Sequence, residues 1–255
     1  MTPEAPSGEV TRRVRHAFDA QAGALAEDAL KLEEMRARRL LRLAEVPPDA
    51  RVLDVGCGAG AVLAHLARQG TPCVGVDLSR AMLARARRTG ARVLAAAAES
   101  LPFPTGTFRM VVSRTTLRHV PAPDAAVWEM RRVLEPGGLV VVEDAINHVL
   151  PETAALREEV ERLRDGAHVR LLSVSALTGL LEEAGFEVEA VEVVTHEREV
   201  EEWLADSPAS AEAKATLRRR LAEDVDAQRL GVHARREGGS VLFDERRALV
   251  RGVKR

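Results

Sequence analysis

The stretch Val52-Leu53-Asp54-Val55-Gly56-Cys57-Gly58-Ala59-Gly60 decides how this chain reads. Val52, Leu53 and Val55 belong to a short apolar strand from Arg51 to Val55, and glycines follow at alternate positions. Where a strand feeds a tight turn against a ligand, glycine lets the backbone approach closely and take positive φ. Ala61 to Gln69 then reads as a helix. The same spacing fits a dinucleotide fingerprint, with Gly56, Gly58 and Ala61 as its small positions. The loop alone therefore does not name its ligand.

Working outward, short apolar strands alternate with helices. Cys73–Val76, Arg92–Ala95, Phe108–Ser113 and Gly138–Val142 read as further strands, the last following the Pro136-Gly137-Gly138 turn. Ser79 reads as the N-cap of a helix reaching Arg88, and Asp124–Leu134 as another helix. This alternation implies an α/β fold with a parallel sheet and right-handed crossovers. Upstream, Met1–Gly8 reads as a frayed tail. Two helical segments precede residue 46; the second, Ala29–Ala44, carries Leu30, Leu40, Leu41 and Leu43 and stops at Pro47-Pro48. Downstream, Pro151–Arg164 and Ser175–Ala184 are helical, and Gly185 ends the latter. Phe186–Val194 alternates as a strand. Glu197–Asp226 reads as mostly helical with a break near Ser207-Pro208, and Ser240–Val250 as a last strand. The expected organisation is a helical lid (1–45), a ligand-binding core (46–150), and helical cap insertions with the final strands of the same sheet (151–255).

Composition excludes several classes. With 46% hydrophobic and 30% charged residues the 255-residue chain is of ordinary globular type. Aromatics are 3% and tyrosine is absent, so Leu, Val and Ala must build the core. Lys and Arg number 37 against 39 Asp and Glu, a net charge of −2 that offers no basic surplus for a nucleic-acid partner. Cys57 and Cys73 give neither a disulfide framework nor a metal site, which points to a reducing cytoplasm. Neither a signal peptide nor an apolar membrane span is read. The Arg runs 36–39, 85–88 and 218–220 read as solvated helix faces, and Cys57 as an apolar filler. Trp128 and Trp203 read as structural.

Three features narrow the ligand. Asp54, at the carboxyl end of its strand, attracts a cationic ligand such as a sulfonium-bearing amino acid and repels a pyrophosphate. Asp77 ends the second strand about 20 residues after the loop begins, where an acid accepts both ribose hydroxyls. Ala98-Glu99-Ser100-Leu101-Pro102-Phe103-Pro104 follows the third strand.

Together, "VLDVGCGAG", "AESLPFP" and "VLEPGGLVVVED" resemble the class I S-adenosylmethionine-dependent methyltransferases, specifically the type 11 group, relatives of the ubiquinone and menaquinone methyltransferases. The resemblance covers roughly residues 18 to 145. It implies a Rossmann-like doubly wound sheet, mostly parallel with an antiparallel last strand, and S-adenosylmethionine as methyl donor to a small-molecule acceptor. Carried over, Asp54, Gly56, Gly58 and Gly60 hold the methionine portion, and Asp77 the ribose. Leu78 and Met82 pack on the adenine, whose ring nitrogen meets the Ala98 backbone beside Glu99. Ser113 and Arg114 face the methyl-donor side, and Phe18 belongs to the lid. Ala97 stands where many relatives carry an aspartate for the adenine amino group. The resemblance thus leaves the adenine to backbone groups and packing. Leu25 stands where an aromatic usually closes the lid. Arg162–Arg170 resembles an "RLRDPSHVR" stretch in one branch of the family, which implies a shared cap.

An acceptor that must lose a proton needs a base, and histidine suits that role near neutral pH. His119 is placed for it, just past the fourth strand, with Asp144 on the same rim and His168 reaching in from the cap. The competing reading of His119 is a packed loop histidine. That of His168 is a satisfied one paired with Asp165, and that of Asp144 a capping residue. Other readings of the whole chain are a fold relative that binds the cofactor but catalyses a cyclase-like reaction or serves as a non-catalytic partner, a nicotinamide dehydrogenase, and a nucleic-acid methyltransferase. Asp54 and the "AESLPFP" segment oppose the dehydrogenase, and the lack of an Asn-Pro-Pro-Tyr element opposes the last.

Overall fold

The computed structural model describes residues 8–24, 27–47, 49–205 and 207–255. The expectations for the tail up to residue 7, for Leu25, for the Leu30 side chain and for Pro48 lie outside the described residues.

Eight strands form one sheet in the order β3-β2-β1-β4-β5-β8-β6, with β7 pairing β8 at its end. They are β1 (Val52–Val55), β2 (Cys73–Asp77), β3 (Arg92–Ala95), β4 (Phe108–Arg114), β5 (Leu134–Ala145), β6 (Phe186–Glu199), β7 (Arg235–Glu237) and β8 (Ser240–Lys254). The first five pair in parallel, and β8 inserts antiparallel between β5 and β6. The Rossmann-like order reverses at β1. Chain connections therefore leave that strand's carboxyl end in opposite directions and open a crevice above it. The register lines up the groups that rim this crevice: Val55 pairs with Val76 on one side and Ser113 on the other.

Side-chain alternation along each strand explains the layers. Leu53, Val55, Val111, Val140 and Val142 face α5 (Pro123–Val133) and α7 (Val174–Glu183), where Val127, Met130, Leu177 and Leu181 are fully buried. Val52, Met110, Val112 and Val141 face the opposite way, onto Leu40 of α2 (Glu27–Ala44) and Leu66 of α3 (Ala61–Arg68). Asp54 falls on this second face, at the end where α2 passes over the strand tips. A smaller apolar cluster builds the cap. Trp203 of α8 (Val200–Ala205), Leu217 and Leu221 of α9 (Ala211–Ala227) and Phe243 surround Val160 of α6 (Pro151–Arg164). Trp203 is buried edge-on to Phe243, with the Arg164 guanidinium 4.6 Å from its ring centre. Trp128 is 48% exposed on α5 and supports no core, contrary to expectation.

Two further differences concern the last third. The helix expected from Glu197 begins at Val200, because His196 to Glu199 continue the β6 ladder against Glu245 to Leu242 of β8. Pairing along the whole strand overrides the helix-favouring Glu and Arg residues. Ser240 starts β8 as expected, but β8 runs on to Lys254, and the hairpin it forms with β7 turns on Gly238-Gly239, both at positive φ. That dipeptide is a two-residue hairpin signal. Among the described residues no helix is long and apolar enough to cross a membrane.

Candidate active site

The glycine loop is built by backbone bonds to β2. Gly56 and Cys57 both donate their N–H groups to the Val76 carbonyl, at 2.8 and 3.0 Å. A Cβ on Gly56, which has φ of +74°, would stand 2.2 Å from the Thr116 Oγ1. Gly58, also at positive φ, has nothing within 4 Å of its would-be Cβ. Gly56 thus closes the turn against the loop after β4, and Gly58 leaves open space for a ligand. Asp77 fixes the loop from the end of β2. Its Oδ2 accepts from the Gly58 N–H and its Oδ1 from the Ser79 N–H, both at 2.8 Å. Burial raises the Asp77 carboxyl despite these bonds.

α4 (Arg80–Ala86) starts at Ser79, whose hydroxyl accepts from the Met82 N–H and donates to Asp19 at 2.6 Å. Asp19 sits on α1 (Gly8–Ala24), which crosses the crevice as a roof. The Arg85 side chain donates to the Ala22 carbonyl at 2.7 Å, and Arg13 to the Gly166 carbonyl at 2.6 Å. The roof is therefore tied to α4 on one side and to the cap loop on the other.

Beneath it lies a solvent-open cavity of about 210 Å³. Of the residues singled out from the sequence, Phe18, Asp54, Gly56, Gly58, Asp77, Leu78, Met82, Ala98, Glu99, Arg114 and His119 line it. Gly60 and Ser113 do not. Gly60 turns the chain into α3 behind the loop at φ of +93°, and Ser113 donates its hydroxyl to the Val55 carbonyl at 3.0 Å, locking β4 to β1. Glu33 lines the space without having been singled out. It lies on α2, 81 residues from the Arg114 it pairs with, and no local motif marks it.

Three residues that line this space each carry a buried polar atom without a hydrogen-bond partner: Asp54 Oδ2, Glu99 Oε1 and Arg114 Nη1. Burial pushes the Asp54 carboxyl up to about 7, against the pull of the Arg114 guanidinium and with help from the Asp77 charge. Such groups are costly unless a ligand satisfies them. Asp54 and Glu99 offer acceptors to the donor groups of a ligand, and Arg114 offers a donor.

The expected bases have protein partners in the structure. The His119 Nδ1 lies 3.1 Å from the Ala167 carbonyl, which only accepts, so this nitrogen holds the ring proton. The Nε2 accepts from the Arg118 Nε at 3.0 Å. Burial and the Arg118 guanidinium hold the imidazole well below the usual histidine range, against the pull of Asp165. Both nitrogens of a neutral ring are thus in use, and the ring meets Phe18 edge-on at 5.0 Å. His119 joins lid, strand loop and cap, and it has no lone pair free for an acceptor. We expect the His119 ring resonances in a proton NMR titration to stay fixed between pH 8 and 5. A midpoint inside that range would show an available base.

His168 and Asp144 do not line the space. The His168 Nε2 bonds to Glu158 at 2.8 Å, not to Asp165; Asp165 instead caps the Ala167 N–H and faces His119. Asp144 is buried and accepts from the Arg118 and Ala145 N–H groups. Both shape the loop that carries His119. Cys57 is buried and its thiol is pushed well up by that burial, as suits an inert filler.

The sheet order is that of the Rossmann-like methyltransferase fold. The chain belongs to the methyltransferase-domain family, whose model matches residues 28–191. It is 28% identical over 228 residues to YcgJ of Bacillus subtilis (strain 168), named an uncharacterized methyltransferase, spanning 85% of this chain and 89% of that one. The crystal structure of YcgJ superposes with a TM-score of 0.79 over 86% of this chain and 97% of that one, at 24% identity in that alignment, a likeness of fold. The 27-O-demethylrifamycin SV methyltransferase of Amycolatopsis mediterranei (strain S699) is 30% identical over 183 residues, 66% of each chain.

Proposed function

We propose that this chain transfers the methyl group of S-adenosylmethionine to a small-molecule acceptor in the space above β1. The observation that carries this reading is that Asp54, Glu99 and Arg114, each with a buried, unpartnered polar atom, line one space with the open Gly58. In this reading Asp54 and the loop of Gly56, Gly58 and Gly60 hold the methionine portion, and Asp77 uses its remaining lone pairs on the ribose hydroxyls. Leu78 and Met82 pack on the adenine, and Ala98 meets it through its backbone. Glu99 takes the adenine amino group, a role that Ala97 lacks the side chain for. Ser113 keeps the ends of β1 and β4 in register, and Phe18 closes the space from the roof.

Bound there, the cofactor supplies an electrophilic methyl group for in-line displacement by a lone pair of the acceptor, with the sulfur departing as a thioether. The chain's own share is alignment and exclusion of water. α1 does the excluding, held by Asp19, Arg13 and the Phe18–His119 contact. The small-molecule part of the reading rests on the chain's lack of a basic surplus and on the Amycolatopsis relative, whose name states a demethylrifamycin acceptor.

The test is a calorimetric titration with S-adenosylhomocysteine and, separately, NADH. Micromolar binding of the first alone supports the reading. Binding of NADH alone makes the loop a dinucleotide site, and binding of neither removes the methyltransferase assignment of this space.

A further inference from the structure

The roof helix α1 is held by polar ties and has little apolar anchorage. Val14 and Ala22 are its buried apolar side chains, and no residue of α1 joins the apolar clusters that build the core and the cap. Few buried apolar contacts mark an element that opens at low cost. The seat of α1 is Ser79, which is fully buried. The Ser79 N–H donates to Asp77, its hydroxyl oxygen accepts from the Met82 N–H, and its hydroxyl proton goes to Asp19 Oδ1 of α1 at 2.6 Å. The Ala81 N–H reaches the same Asp19 oxygen at 3.3 Å. The Ser79 bond holds the Asp19 carboxyl below the ordinary carboxylate range, so the charge is kept. One line of bonds thus runs from the roof through Ser79 and Asp77 to the Gly58 N–H of the glycine loop. On its other side, α1 is tied by Arg13 to the Gly166 and His168 carbonyls at 2.6 and 3.4 Å. The cavity under this roof holds about 210 Å³, below the roughly 300–1,000 Å³ of sites that bury a small-molecule ligand. A nucleoside joined to an amino acid does not enter with α1 as it lies.

We propose that Asp19 is the latch of this roof: its bond to Ser79 holds α1 down, and breaking that bond is the step that admits the cofactor and releases the spent thioether. The proposal rests on the cofactor reading of the cavity. Asp19 does not line the cavity and is a positioning residue. A latch on the rim holds the closed roof whether or not a ligand lies beneath it. It therefore slows entry and exit by the same factor and leaves the equilibrium affinity nearly untouched. A contact made to the ligand itself would act on exit alone. Asp19 thus sets how fast the site exchanges its occupant, not how tightly it holds it.

The test measures S-adenosylhomocysteine association and dissociation by surface plasmon resonance on the wild-type chain and the Asp19→Ala and Asp19→Asn variants, each checked for folding by thermal unfolding. Amide hydrogen exchange of α1 is followed alongside, without ligand. Asp19→Ala is expected to raise both rates roughly tenfold, the worth of one bond to a charged group, with Kd changed by less than about threefold. Asp19→Asn keeps an acceptor oxygen without its charge and is expected to fall between. Exchange in α1 should quicken in both variants while α3 and α5 stay as they were. The latch is wrong if Asp19→Ala raises dissociation alone and weakens affinity in proportion, or if neither rate moves; in either case the cofactor reading stands. If the wild type binds no S-adenosylhomocysteine, the cofactor reading fails and takes the gate with it, and α1 exchange then reports only whether Asp19 holds the roof. Should Asp19→Ala not fold, Asp19→Asn decides by the same two rates.

Discussion

Replacing Asp77 by alanine is expected to weaken S-adenosylhomocysteine binding by about 100-fold or more. Asp77 holds the glycine loop and, in the proposed reading, also meets the ribose. Its two oxygens accept from the Gly58 and Ser79 N–H groups at 2.8 Å. Removing them frees the loop and strips the ribose hydroxyls of their acceptor. Each charge-assisted bond contributes roughly 1.5–3 kcal/mol, so losing the ribose contacts alone accounts for a hundredfold. Asp77→Asn gives a sharper comparison. Its amide must present an NH₂ group to one of two backbone donors, leaving one N–H without an acceptor. Calorimetry should show Asn nearly as damaging as Ala, with a lower melting midpoint than the wild type. A loss under tenfold in Asp77→Ala would separate Asp77 from the cofactor and leave it a loop brace.

That residue was legible in the sequence for a physical reason. Strand, glycine turn and the next strand's acid are consecutive, and their geometry is set by local backbone rules with little freedom. Ser79 as a cap and the Ser207-Pro208 break were legible on the same grounds. What escaped lies in contacts between distant segments. Glu33 meets Arg114 across 81 residues, and nothing near Glu33 announces it. His168 has an aspartate three residues before it, yet it bonds to Glu158, a turn and a half up α6. His119 was marked by its position past β4. Whether a histidine there is free depends on Arg118 beside it and Ala167 opposite, and only the fold brings the second into place. The long β6 was misread beyond Val194 because its residues favour a helix individually, while their partners on β8 come 40 or more residues later.

Asp54 should show opposite effects on binding and on stability. Its folded carboxyl, at about 7, stands above the ordinary 3.8 because burial disfavours its charge. Between those values the folded chain keeps a proton that the unfolded chain releases. Stability therefore falls as pH rises from about 4 through 7, and the penalty is complete above that. At about 1.36 kcal/mol per pKa unit the penalty reaches at most about 4 kcal/mol. Asp54→Asn removes the charge and leaves the shape, so it should raise the melting midpoint at pH 8 by up to about 8 °C and change it little at pH 4. The same substitution should cost S-adenosylhomocysteine binding about 100-fold at pH 8, because the amine loses its buried counter-charge. Wild-type affinity should climb about tenfold between pH 6 and 8, where the carboxylate must first be ionised, and the variant should show no such slope. An Asp54→Asn chain no more stable than the wild type at pH 8 would mean the carboxylate is already compensated without ligand. A residue held charged at a cost to the fold, and relieved only by a cationic ligand, is what a binding site requires and a structural aspartate does not.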